Sequence, residues 1–423
     1  MTTRRNFLKT SALSSLAIPY VKGIDKSYSL SNIDTSESVE EFWKNIRIQF
    51  PLKEGQTYFN NGTMGPMSGY TMNKVISDML YSTVHGAETD YKKNDPGPTL
   101  LSGYFKHEEI RQKVGAVINA DFKEISLIPN ATFGMNYIGQ GLDLKAGDEL
   151  INTDQEHGGG FGVWRMLAKR QGCIYKEAKM PVPANDPQEI VDSVMSQVTS
   201  RTKVIAIPHI VSVYGVIMPV KQICAEAKKR GIFTVLDGAQ TVGQINVDVK
   251  DIGCDAYYSS LHKWMLAPGG NGILYVNNES VDQIWSTIAS YNWDHKDDHG
   301  FRLMQNGTTN QSLVVGLDAS IDFYNTIGHN KWIKRIKHLG DHLRSGLKEI
   351  QKVTIVSSTH PNMSAGMVTY KVEGMTGPQL QKHLWDTAKM QPRSVGSELM
   401  RHCTHIYNSE AEIDKALEII QAI

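Results

Sequence analysis

The chain is poor in the features that mark several whole classes of protein. It has four cysteines (Cys173, Cys224, Cys254, Cys403) in 423 residues, far apart, with no C-x-x-C pair and no histidine spacing suited to zinc. That excludes a disulfide-dense scaffold and a zinc module, and leaves the thiols to act as small apolar residues. Charge of either sign is not in excess: 44 Lys and Arg balance 44 Asp and Glu, and no basic run is interleaved with aromatics. Neither nucleic acid nor an anionic membrane is therefore indicated as a partner. The mildly apolar stretch at residues 10–21 is shorter than the ~20 residues that span a bilayer. No G-x-G-x-x-G follows the first strand, which removes a nicotinamide oxidoreductase. The segment 157–160 reads H-G-G-G, like a hydrolase oxyanion loop, but that reading needs a G-x-S-x-G nucleophile elbow, and the chain has none. Internal repeats and low-complexity tracts are also absent.

What is present is an ordinary globular balance, 40% hydrophobic and 21% charged, in a chain longer than one core usually grows. Two domains are expected. At the start, Arg4-Arg5 with Phe7-Leu8-Lys9 and the apolar stretch behind them read as a secretory signal over 1–23. The adjacent arginines resemble the twin-arginine type, which exports proteins already folded. This predicts a periplasmic or exported protein, the twin-arginine machinery as a partner, and no membrane attachment of the mature chain. Residues 24–60 are expected to be a linker and a segment joining the small domain. Within them Ser38-Val39-Glu40-Glu41 has a capping-box pattern opening a helix with Phe42, Trp43 and Ile46 on one side.

From about 110 to 276 apolar strands alternate with amphipathic helices. Strands are expected at 125–128, 149–152, 203–207, 233–236 and 256–258, with helices from about 131, over 162–170 and over 220–230. Such alternation predicts an α/β domain, 61–300, whose mostly parallel sheet is covered by helices. After about 300 two helices, over 311–326 and 331–349, precede short strands and a terminal amphipathic helix, a smaller α+β domain over 301–423. Ligands of parallel sheets bind at the carboxyl ends of strands. Thr132, His157, Ser212, Asp237 and Ser260 all fall just after predicted strands, which argues for one shared site.

Two elements carry the chemistry. A lysine able to deprotonate condenses with an aldehyde, and a carboxylate at a strand end holds a pyridine nitrogen protonated. Together they turn an aldehyde cofactor into an electron sink. Lys263 in Ser260-Leu261-His262-Lys263-Trp264 and Asp237 in Asp237-Gly238-Ala239-Gln240 are the candidates for these two roles; singly, they could be a surface lysine and a turn aspartate. The D-x-A-Q and S-x-H-K-W elements, in this order, resemble the class V aminotransferase family of fold-type I pyridoxal phosphate enzymes, over nearly the whole chain after residue 55.

The resemblance implies a seven-stranded type of sheet, pyridoxal 5'-phosphate as cofactor, and an internal aldimine on Lys263. It implies that Asp237 pairs with the pyridinium nitrogen, that Gln240 bonds the ring hydroxyl, and that His157 stacks on the ring. Ser212 is expected near the ring oxygen. Thr132, at a helix N-terminus rich in free N–H groups, would bind the phosphate with Ser260 and His262. Gly307-Thr308 matches an element that reaches the phosphate from a second subunit, which implies a homodimer with shared sites. Arg401, opening a segment that ends Tyr407-Asn408, would clamp a substrate α-carboxylate through two parallel hydrogen bonds. Arg393 is a second anion-binding candidate, and Asn60-Asn61-Gly62 resembles the N-terminal substrate loop, with Asn61 as a substrate contact. The expected substrate is an α-amino acid or a small molecule containing one, and freed Lys263 is the expected base for its α-proton.

Transamination, epimerisation and β-elimination all begin from that proton. Desulfuration needs a reactive cysteine on a loop ahead of the C-terminal arginine. Residues 393–398 contain none, and Cys403 lies beyond Arg401. The Asn60-Asn61-Gly62 and Asn130-Ala131-Thr132 forms resemble the isopenicillin N epimerase-like branch. That branch also holds C–S lyases and exported enzymes modifying siderophore side chains. A catalytically silent binding protein on the same fold is the non-enzyme alternative, and intact Lys263, Asp237 and Gln240 argue against it.

Overall fold

The computed structural model describes residues 28–85 and 105–423. The expected signal over 1–23 lies outside the described residues. The described chain begins as its polar pattern requires. Ser38 caps the helix Val39–Ile48 by accepting from Glu41 N at 3.3 Å, and Phe42, Trp43 and Ile46 are buried.

Thirteen strands follow among the described residues. β1 is Thr57–Tyr58; β2 Ile125–Ile128, β3 Glu149–Thr153, β4 Ile174–Ala178, β5 Thr202–Pro208, β6 Phe233–Asp237, β7 Ala256–Ser260 and β8 Gly272–Val276 come next. β9 Val353–Ile355, β10 Met367–Val372, β11 Met390–Gln391, β12 Arg393–Val395 and β13 Leu399–Cys403 complete them. β2 to β8 form one seven-stranded sheet in the order β2-β8-β7-β6-β5-β3-β4. Its pairs are parallel except those made by β8, which runs against β2 and β7. Both faces of this sheet are buried, so its strands read as continuous apolar runs. Along β5, Val204 and Ala206 enter one core cluster while Ile205 and Ile207 enter another, the two-residue period placing neighbours on opposite faces.

The expected strands are all present. Two strands of the seven-stranded sheet lie outside those expected: β4, whose half-buried Ile174-Tyr175-Lys176-Glu177 makes no apolar run, and β8, whose Gly272–Val276 does.

β9, β10, β12 and β13 make a four-stranded antiparallel sheet. Helices His329–Lys348, Gly377–Ala388 and Glu410–Gln421 cover it, the last two opened by capping boxes at Thr376 and Ser409. β1 pairs in parallel with β11, and Phe59 belongs to the same small cluster as Leu343, Tyr370 and Ile413. Thus the N-terminal segment is stitched to the C-terminal sheet. The helix Gln311–Ile327, expected to open the small domain, packs instead along Gly69–His85 and sends Leu317, Ile321 and Phe323 into the large cluster. Its apolar face is complementary to a helix that precedes the sheet in sequence, a long-range match that local patterning does not reveal.

Candidate functional site

A cavity of about 400 Å³ opens at the carboxyl ends of the parallel strands. Thr132, His157, Ser212, Asp237, Gln240, Ser260, His262, Lys263, Arg393 and Arg401 all line it. The helix Ala131–Gly141 starts directly after β2 because Asn130 caps it, accepting from Phe133 N at 3.3 Å. Asn130, Ala131 and Thr132 thereby present that helix's N-terminus to the cavity. Ser260, buried at the end of β7, accepts from Ala131 N at 2.9 Å and ties the lysine-bearing loop to this helix end. Thr132 is exposed at the cavity wall.

Asp237 ends β6 and accepts from Ala239 N at 2.8 Å. Burial raises its carboxyl above the ordinary carboxylate range, while the Ala239 N–H and the charges of Lys263 and His157 pull the other way. Burial lowers the Lys263 amine, opposed by the charge of Asp237. No hydrogen bond or ion pair among the described residues holds Lys263 Nζ, which leaves the amine free to react. His157 is exposed, accepts from Gly159 N through Nδ1 at 3.1 Å, and is lowered by burial and by the Lys263 charge.

The backbone around Lys263 is pinned from a distance. Asn61 is fully buried; its Nδ2 donates to Lys263 O at 3.3 Å and its Oδ1 accepts from Tyr407 Oη at 3.1 Å. It stands behind the cavity wall rather than on it, holding the lysine segment. Gly65 N donates to His262 O at 2.8 Å, and a Cβ on Gly65 would stand 2.2 Å from Lys263 O. Only glycine admits so close a backbone approach. Gly65→Ala is expected to displace the Lys263 segment, cost about 1–3 kcal/mol in thermal or urea unfolding, and lower kcat more than KM. Leu266, three residues on, holds a left-handed φ of 59° while buried, a further strained element beside the site.

Gln240 is engaged within the protein. Its Oε1 accepts from Trp264 Nε1 at 2.7 Å and its Nε2 donates to Gly62 O at 2.9 Å, so the tryptophan of S-x-H-K-W orients the amide. Ser212 is buried, with its hydroxyl 3.4 Å from Gln240 Nε2 and its carbonyl accepting from Arg401 Nη1 at 2.6 Å.

Arg401 lies in the middle of β13 and is buried, directly opposite Arg393 on β12. Both reach one hydroxyl, Thr63 Oγ1, Arg393 Nη1 at 3.0 Å and Arg401 Nη2 at 3.4 Å. Two like charges facing each other across a strand pair cost stability, and an anion between them offsets that cost. Thr63 escaped the sequence reading because its partners stand more than 300 positions away, and nothing local signals them. Thr308 is exposed and lies outside its own chain's cavity.

The donor set fits a phosphorylated pyridine aldehyde. Two lining residues carry a buried nitrogen with no protein partner, His262 Nδ1 and Arg401 Nε. A helix N-terminus supplies a phosphate seat, a lysine the aldehyde partner and a carboxylate the ring-nitrogen partner, in a cavity within the ~300–1,000 Å³ of cofactor sites. Among the described residues no group of three His, Cys, Asp or Glu is placed to hold a metal, and no helix is long and apolar enough to cross a membrane. All four cysteines are buried and unpaired, and none lines the cavity.

Comparison with known proteins agrees with this geometry. The isopenicillin N epimerase of Amycolatopsis lactamdurans is 26% identical over 401 residues, covering 90% of this chain and 98% of its own. A probable cysteine desulfurase of Xylella fastidiosa is 27% identical over 384 residues, 86% of this chain and 87% of its own. Among solved structures, a lysine mutant of C-DES with glycine covalently linked to its PLP cofactor matches with a TM-score of 0.78 at 22% identity, over 89% of this chain and 98% of that one. The fold is that of the fold-type I pyridoxal phosphate enzymes, an α/β domain on a mostly parallel sheet. A sequence profile described as "Aminotransferase class-V" matches residues 102–419, three quarters of the chain. The chain belongs to the class-V aminotransferase family.

Proposed function

We propose that this protein is an isopenicillin N epimerase-like enzyme that removes the α-proton of an amino acid or of a small molecule containing one. The cofactor is pyridoxal 5'-phosphate, which when bound supplies an electron sink for charge developing at Cα. The observation that carries the reading is the placement of Lys263 and Asp237 on one cavity, with an arginine pair at a third point of its wall.

The residues divide the work. Thr132, Ser260 and the helix N-terminus hold the phosphate, and His157 covers the ring face. Asp237 keeps its charge against the ring nitrogen. Arg401, presented by a rigid strand and oriented by Ser212 O, takes the substrate carboxylate and so aims Cα–H toward Lys263. Lys263, whose charged form burial disfavours, accepts the proton. Thr308 of the partner subunit completes the phosphate seat in a homodimer. Arg4-Arg5 support export by the twin-arginine route, with the cofactor loaded during cytoplasmic folding.

A C–S lyase is the second reading, favoured by the match to C-DES, described as a cystine C-S lyase. A desulfurase that carries sulfur on its own cysteine fits less well, since Cys403 is buried behind Gly62 and no other cysteine is near. Products separate the readings. Epimerisation gives solvent deuterium at Cα with inversion and no keto acid, while C–S cleavage releases a sulfur species and a keto acid. Transamination would release a keto acid without sulfur and overturn both. Arg401→Ala is expected to lower kcat/KM about 30-fold or more, through loss of ~2 kcal/mol from the charge-assisted carboxylate contact. The absorbance of bound cofactor should stay unchanged, and an unaltered kcat/KM for carboxylate substrates would refute the clamp.

A further inference from the structure

A second carboxyl faces Asp237. Glu156 follows β3, and its Oε1 accepts from Thr153 N at 3.2 Å and Thr153 Oγ1 at 3.0 Å. Its other oxygen lies beside Gly160, as does one oxygen of Asp237. The Gly160 N–H donates to His157 O at 2.6 Å, closing a tight turn. A Cβ on Gly160 would stand 3.2 Å from Glu156 Oε2 and 3.6 Å from Asp237 Oδ2, so the two carboxyls converge on the space that this glycine leaves open.

Two half-buried carboxylates so placed do not both ionise readily. Burial, then the charge of Asp237, pushes Glu156 up to about 8, against the hydrogen bonds from Thr153 and Asn152. The other titratable groups about the pair are Tyr257 and Tyr258 on β7, His157 and Lys263. Tyr258 is itself pushed up by burial and by both carboxyls. Lys263 and His157 favour the charged form of Asp237. Asp237 is thus the member of the pair that keeps the charge.

We infer that Glu156 is a positioning residue for Asp237, a neutral carboxyl that backs the charged one, so that the ring-nitrogen partner is a two-carboxyl unit carrying a single charge. This rests on the cofactor reading above. A neutral amide of the same shape can replace Glu156, and a truncated side chain cannot.

The test uses carbon-13 glutamate-labelled protein and pyridoxal phosphate itself. One glutamate carboxyl should titrate between pH 7 and 9, be missing from Glu156→Gln, and move to lower pH in Asp237→Asn. Glu156→Gln should retain pyridoxal phosphate affinity within about threefold by equilibrium dialysis, and Glu156→Ala should lose about tenfold. A Glu156 carboxyl that titrates near pH 4–5, or Glu156→Ala with wild-type affinity, overturns the inference. Should Glu156→Ala not fold, the carboxyl titration and Glu156→Gln decide alone. Wild-type protein that binds no pyridoxal phosphate would instead refute the cofactor reading, and the glutamate titration would still report on the pair.

Discussion

Lys263→Ala is expected to lower turnover by about four orders of magnitude, more than any other single change. The residue supplies both the amine that bonds the cofactor and the base that takes the α-proton, and general-base removal alone costs roughly 10²–10⁴. Folding should survive. Burial holds the amine below its ordinary range, so charging it costs the native state stability as pH falls through that lowered value. Replacing it with alanine removes this cost, and the variant without cofactor should unfold at or above the wild-type temperature at pH 6–7. A loss of both activity and folding would mean that Lys263 is structural.

Asp237→Asn is the second large effect, and its two readouts move in opposite directions. Activity should fall about 10²–10³-fold, because an amide cannot hold the ring nitrogen's proton by charge. Stability of the cofactor-free protein should rise. The Asp237 carboxyl is raised in the folded state, so its contribution is complete below the ordinary carboxylate value and is lost as pH climbs through the raised one. At pH 7 wild type bears that loss, and asparagine does not. Thermal unfolding at pH 4 and pH 7 checks the sign: the gap between variant and wild type should widen with pH. Such a trade of stability for charge is expected where a site holds a buried ion for a ligand.

Legibility from sequence follows the range of the interactions. The α/β sheet was legible because its central strands are buried on both faces and carry continuous apolar runs, ended by the residues that line the cavity. Ser260 to Lys263 and Asp237 to Gln240 were legible because each chemistry needs its groups a few positions apart on one strand end. Arg401 was visible in its segment, but not that it faces Arg393 across two strands, which depends on the turn joining them. Asn61 was expected at the substrate. Its partners within the protein are Lys263 O and Tyr407, contacts 202 and 346 positions away that no local pattern encodes. Glu156 sits beside a predicted site residue, yet its role needs the Gly160 turn to aim it at Asp237. The helix Gln311–Ile327 is legible as a helix but its packing partner is not, since Gly69–His85 lies across the whole sheet in sequence.

The central claim is that Lys263 is the residue to which pyridoxal phosphate bonds. Borohydride reduction of the purified holoprotein, followed by proteolysis and mass spectrometry, tests it most directly. The expected result is one modified peptide, carrying the reduced cofactor on Lys263 and absent from Lys263→Ala. Label on another lysine, or no label at all in protein saturated with pyridoxal phosphate, would contradict it.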